Sequence, residues 1–142
     1  MTVQAILGNK GFEVISIDAA ARLSDAIRLL SERHIGAVLV MKDHHIEGIL
    51  SERDVVRVLG KHGAGALDTP VGEVMTRKVV TCRRADTAAS IMEKMTNGKF
   101  RHLPVVENER VVGLISIGDI VKWRVKEYER EQEALRDYIK TA

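Results

Sequence analysis

At 142 residues the chain has the length of one domain, or of two very small units sharing a core. Its 45% hydrophobic and 30% charged residues are ordinary for a folded chain, and a net charge of +2 argues against a general role on nucleic acid or membrane surfaces. Cys82 is the single cysteine, which excludes an internal disulfide and cysteine-rich metal sites; no apolar run of about 18 residues and no signal-peptide pattern occur, so a cytoplasmic protein is expected.

Thr2–Gly8 is a short amphipathic piece with Val3, Ile6 and Leu7 on one face and Gly8-Asn9 as a stop. Glu13–Ile17 predicts a strand. Leu23, Ala26, Ile27 and Leu30 recur at helical spacing and predict a helix from Leu23 to Arg33. Ala37–Met41 and Ile46–Leu50 predict an antiparallel pair around the polar turn 42–45, and Ser51 caps a helix carrying Val55, Val56 and Leu59. Gly60, Gly63 and Gly65 mark a linker. Thr69-Pro70 predicts an N-cap with proline at the first helical position, opening a helical turn to Met75. A strand near Lys78–Thr81, a helix near Asp86–Thr96, strands at His102–Glu107 and Arg110–Ile115, and a helix from Ser116 complete the chain.

The second half repeats the first. Gly48-Ile49-Leu50-Ser51-Glu52-Arg53-Asp54 returns 65 positions later as Gly113-Leu114-Ile115-Ser116-Ile117-Gly118-Asp119, and the flanking apolar classes align without a gap. Taken alone, each copy is a strand running into a capping box, Ser capping and Asp reaching back. Two copies in register add a second reading, in which helix N-termini hold phosphate and the carboxylates take ribose hydroxyls.

The last helix carries Val121, Val125, Tyr128, Gln132, Leu135 and Ile139 at a coiled-coil-like spacing. This seam either lies along its own domain or meets a second subunit. Trp123 lies off it.

These residues resemble the CBS domain in its tandem form, a stand-alone Bateman module. The carriers are Val14-x-Ser16-Ile17 with Leu23-Ser24-Asp25-Ala26, Val74-Met75-Thr76 with Val79-x-Thr81, Arg101-His102-Leu103-Pro104-Val105-Val106, and the two Gly-x-x-Ser-x-x-Asp copies. The resemblance implies an α+β fold of two pseudo-symmetric β-α-β-β-α repeats, two small sheets flanked by helices, with a long C-terminal helix. It divides the chain into a first repeat with its N-terminal helix (1–60), a linker (61–68) and a second repeat (69–142). It implies a regulatory dimer that binds an adenosine-containing ligand (AMP, ADP, ATP, NAD or S-adenosylmethionine) and has no catalytic cofactor.

Carried over by residue, the resemblance gives Asp119 the ribose and Ser116 the phosphate or ribose in one cleft. Val79 and Thr81 there face adenine, and His102, Leu103 and Pro104 form a wall. In the other cleft Ser51 and Asp54 take the same roles, with Ser16, Ile17, Ile35 and Ala37 around the base. Arg53, Met75, Thr76 and Arg101 complete the nucleotide-binding set. Ala19 and Arg84 depart from the family pattern, standing where proline is frequent. Lys99, Arg101 and His102 make the Asp119 cleft the expected phosphate-rich one, unless the pseudo-twofold axis swings them to the neighbouring cleft.

Other features have plainer readings. His44-His45 is read as a solvated turn rather than a metal site. Cys82 is read as a buried apolar residue rather than a redox handle. No nucleophile–base set points to an enzyme. Three functions are therefore carried: a nucleotide sensor, a ligand-independent dimerisation scaffold, and a direct regulator of a redox partner such as a thioredoxin.

Overall fold

The structure, a computed structural model, describes every residue except Phe12 and Ala142; the side chains of Asn9 and Lys10 are also outside the description. The elements are α1 (Val3–Lys10), β1 (Ser16–Ile17), α2 (Leu23–Arg33), β2 (Ala37–Lys42), β3 (His45–Ser51) and α3 (Glu52–His62). After a 3-10 segment at Gly63–Asp68 come α4 (Val71–Val74), α5 (Ala88–Gly98), β4 (His102–Glu107), β5 (Arg110–Ser116) and α6 (Ile117–Thr141). This is an α+β fold with one three-stranded and one two-stranded sheet.

The repeat is visible in backbone detail. Both hairpins turn through two residues of positive φ, Asp43 and His44 in one and Asn108 and Glu109 in the other. That geometry matches the strand twist and gives the tightest hairpin connection. Helices α2 and α5 both end on a left-handed residue, His34 and Lys99. A register shift interrupts β2–β3 between Val40 and Met41, and β4–β5 between Val105 and Val106. All these positions pair at the 65-residue offset.

Some expected boundaries are corrected. The first helix runs past Gly8-Asn9 to Lys10, where Gly11 at φ 103 ends it. Helix α3 continues through Gly60, so the glycine-rich stretch is helical until Gly63. Pro70, not Thr69, is the residue before α4, and it gives no side-chain cap; a bridge to Arg22 and the bond from Leu23 N–H to the Thr69 carbonyl fix the chain there instead. The strand expected near Lys78–Thr81 is reduced to one parallel bridge, Cys82 with Val105. It matches the Ile17–Val40 pair of β1 and β2.

The two cores do not follow chain order. Helix α1 packs into the second repeat's core with Ile91, Leu103, Val105, Ile115 and Ile120, whereas α4 packs into the first repeat's core with Leu23, Val38, Val40 and Leu50. The two docks are copies of each other. Val71 N–H donates to Ala21 O at 2.7 Å and Gly72 N–H to Ala19 O at 2.9 Å; Val3 N–H donates to Asp86 O at 2.9 Å and Gln4 N–H to Arg84 O at 3.0 Å. Both docks also need a glycine on the sheet. A Cβ on Gly48 would lie 2.5 Å from Met75 Sδ, and one on Gly113 would lie 2.6 Å from Leu7 Cδ2.

Helix α6 turns Ile120 into the second core and packs Trp123 against it. Val121, Val125, Tyr128, Leu135 and Ile139 are each at least half exposed, so the apolar seam does not lie on its own domain.

The glycine–leucine dock predicts a coupled stability effect. Leu7→Ala should cost ~2–5 kcal/mol and Gly113→Val ~1–3 kcal/mol by urea denaturation. Combining Leu7→Ala with Gly113→Val should cost less than the sum of the two single changes, because the new side chain enters the space vacated by Leu7.

Candidate functional site

The site grows from the junction of β3 and α3. Ser51 is extended, at φ −107 and ψ 166, and ends the strand as the helix cap. Its Oγ accepts from the Asp54 N–H at 3.3 Å, while Asp54 Oδ2 accepts from the Ser51 N–H at 2.9 Å and the Ser51 hydroxyl at 3.1 Å. Ser116 and Asp119 repeat this box, at 3.2, 2.8 and 3.0 Å. The capping reading therefore holds at both copies, and it uses only one carboxylate oxygen of Asp54.

The other oxygen distinguishes the first copy. Asp54 Oδ1 accepts from Arg57 Nη2 at 2.8 Å and from the Thr76 hydroxyl at 3.0 Å. Thr76 is brought there by the α4 dock: its N–H and carbonyl exchange bonds with Ile49, at 2.8 and 2.9 Å. Asp54 is the one buried polar residue among the described residues. At the second copy the matching positions are Lys122 and Gly8, and glycine has no hydroxyl to give.

Around Asp54 opens a cavity of about 630 Å³, within the usual range for small-molecule sites. Ser51, Arg53, Asp54 and Arg57 line it from the first repeat, and Thr76, Lys78, Val79, Val80, Lys99, Arg101 and His102 line it from beyond the linker. The crossing is close. A Cβ on Gly36 would lie 3.2 Å from His102 Cε1, so the imidazole rests directly on first-repeat backbone.

This corrects the expected pairing of residues. Val79 and the His102 wall stand with Asp54, not with Asp119, and Lys99, Arg101 and His102 lie in the neighbouring cleft, the alternative the pseudo-twofold axis left open. The stretch Lys78–Val80 borders the cavity where an added strand was expected. Of the other expected residues, Ala37, Met75 and Leu103 are core side chains, and Pro104 is buried. Ile17 and Ile35 are partly buried, Ser16 and Thr81 are exposed, and none of these lines the Asp54 cavity. Asp119 borders a smaller concavity of about 340 Å³ with Lys122, Trp123, Lys126 and Arg130, and Ser116 does not line it. Arg57, Lys78 and Val80 were outside the expected set, whereas Lys99 was among the cations expected beside phosphate and lines this cavity. Arg57 had a readable signal, since it lies one helical turn beyond Asp54.

His44 and His45 are exposed in and beside the first hairpin turn. Cys82 is buried, and burial, aided by the charge of Asp86 and opposed by Lys94, pushes its thiol up to about 12. The folded thiol should thus be inert to Ellman's reagent at pH 8 and react only at the rate of unfolding. Its ordinary value is 9.0, so the same shift stabilises the fold below about pH 9 and is lost progressively as pH rises through that value toward 12.

Comparison with known proteins places this geometry in context. The family model described as CBS domain matches twice, over residues 10–61 and 71–126. The CBS domain-containing protein CBSX3, mitochondrial, of Arabidopsis thaliana is 32% identical over 120 residues, covering 81% of this chain and 58% of that protein, so the chain spans little more than half of it. The crystal structure of the CBS-domain containing protein ATU1752 from Agrobacterium tumefaciens is 41% identical, covers 87% of this chain and 99% of that one, and superposes with a TM-score of 0.86. The CBS domain pair of protein MJ0100, in complex with 5'-methylthioadenosine and S-adenosyl-L-methionine, shares the fold at a TM-score of 0.80 and 22% identity, over 89% of this chain and 98% of that one.

Proposed function

The chain belongs to the CBS-domain family, and on that premise we propose that it is a regulatory module that binds an adenine nucleotide in the Asp54 cavity. The observation that carries this reading is the meeting, in one cavity between the repeats, of a buried carboxylate, an apolar edge and a set of cations. Val79 and Val80 offer apolar contact to a base, Asp54 and Thr76 face ribose hydroxyls, and Arg53, Lys99 and Arg101 face phosphate. Proteins built from CBS domains alone are generally regulatory rather than catalytic, and the adenosine ligands of the MJ0100 pair favour an adenosine moiety here. A second ligand position is proposed at Asp119, beside Lys122 and Arg130.

Regulation requires a ligand that binds two shapes of the assembly unequally. We place that assembly at a dimer joined through the exposed seam of α6, acting on a partner protein. The scaffold reading takes the clefts as empty or filled by side chains; the Asp54 cleft is not filled, and its buried carboxylate among cations favours a ligand over an empty cleft. A redox partner would have to read the surface, because the single cysteine is buried. The cytoplasm remains the expected compartment; among the described residues no helix is long and apolar enough to cross a membrane, and the Arabidopsis relative is named as mitochondrial.

AMP, ATP or NAD should raise the melting temperature of the purified protein, since a ligand of the folded state must do so. Calorimetric titration should show Asp54→Ala weakening AMP binding by ~1–3 kcal/mol, the range for a lost hydrogen bond to a charged group. An unchanged AMP affinity in that variant would exclude Asp54 from the site. Sedimentation should give two or more chains per particle at micromolar concentration, and Tyr128→Glu with Leu135→Glu should shift it to the monomer.

A further inference from the structure

We propose that Arg57 makes binding at the Asp54 cavity conditional on phosphate, by holding the carboxylate oxygen that ribose needs until an anion draws the guanidinium away. This rests on the reading of Asp54 as the ribose-binding carboxylate.

A carboxylate offers about four acceptor positions. At Asp54 four donors use them: the Ser51 N–H and hydroxyl on Oδ2, and Arg57 and the Thr76 hydroxyl on Oδ1. The Ser51 pair is the helix cap, and moving it would unmake the start of α3. Thr76 is pinned by its backbone pairing with Ile49, although its hydroxyl can rotate. Arg57 is the partner that can leave. Its side chain is 64% exposed while that of Asp54 is 4% exposed, so the guanidinium reaches inward from solvent to a buried group.

Rotation of the Thr76 hydroxyl frees one position on Oδ1, but a ribose diol gains both only as Arg57 withdraws. Withdrawal gives up a charge-assisted bond of 2.8 Å, and a neutral nucleoside offers the guanidinium nothing in exchange. A phosphate does, because the guanidinium fork matches its oxygens. The surroundings point the same way. Arg53, Lys78, Lys99 and Arg101 line the cavity besides Arg57, against the carboxylates of Glu52 and Asp54. Among the described residues Lys78, Lys99 and Arg101 make no ion pair. Such a cavity suits a nucleoside di- or triphosphate and disfavours a cationic sulfonium nucleoside.

The test is calorimetric titration of adenosine, AMP, ADP and S-adenosylmethionine into wild type, Arg57→Ala, Arg57→Lys and Asp54→Ala, each confirmed folded by its thermal transition. In wild type, affinity should rise from adenosine through AMP to ADP, with S-adenosylmethionine weakest. In Arg57→Ala, adenosine should bind more tightly than in wild type while AMP binds more weakly, so their ratio falls by about tenfold or more. Arg57→Lys should restore part of that ratio. Equal weakening of adenosine and AMP in Arg57→Ala would assign Arg57 a merely structural role and overturn the proposal, as would S-adenosylmethionine binding wild type as tightly as ADP. Should wild type bind none of the four, or Asp54→Ala bind AMP unchanged, the ribose reading itself fails and this inference with it.

Discussion

The fold depends on a side chain laid on a glycine, used twice. Met75 lies on Gly48 and Leu7 on Gly113, and each contact seats a short helix on the repeat to which it is not adjoined in the usual chain order. Because glycine places no Cβ between them, the helix and the sheet approach closely, and at Gly48 closely enough for backbone pairing. In the first repeat that pairing fixes Thr76 beside Ile49, and Thr76 in turn reaches Asp54. A packing constraint in the core thus sets the hydrogen bonding of the buried Asp54 carboxylate. It also explains how residues beyond the linker become walls of a cavity whose helix belongs to the first repeat.

The capping box and the site share a side chain, and the sharing is physically consistent. One oxygen of Asp54 satisfies the helix terminus, which leaves the other for outside groups. A carboxylate so placed gains from the positive end of the helix, which offsets part of its desolvation. Removing one of its partners is consequently unlike removing a surface charge. The remaining acceptor stays buried, and any donor that fits the cavity is drawn to it.

Much of this was legible in the residues. The repeat, the hairpins, the buried Val38–Val40 run and the box at both serines follow from local patterns, and α2 occupies the span its spacing predicts. The pairing of walls with carboxylates was not legible. Two internal copies define what is equivalent, but not which copy of one segment faces which copy of another. The local pattern also missed that the strand expected at Lys78–Thr81 keeps only the Cys82 bridge, because the residues before it border a cavity rather than a partner strand. The alternation within His102-Leu103-Pro104 was another miss. Neighbours on a strand face opposite sides, so His102 lines the cavity while Leu103 goes to the core.

The asymmetry between the copies comes from that crossing. The helix docks repeat at a spacing of 68 residues, Leu7 to Met75, while the sheets and long helices repeat at 65. Thr76 therefore answers to Gly8, and Arg57 to Lys122. One copy offers a buried carboxylate a hydroxyl and a planar guanidinium; the other places a glycine and an ammonium at those positions. A guanidinium binds carboxylate or phosphate through two parallel bonds, whereas an ammonium acts as a point charge. Near-identical capping boxes thus sit in unlike surroundings, and the difference is set by two short segments outside the matching heptapeptides. Selection acting on those segments could change what one cleft prefers without disturbing the caps, the hairpins or either core.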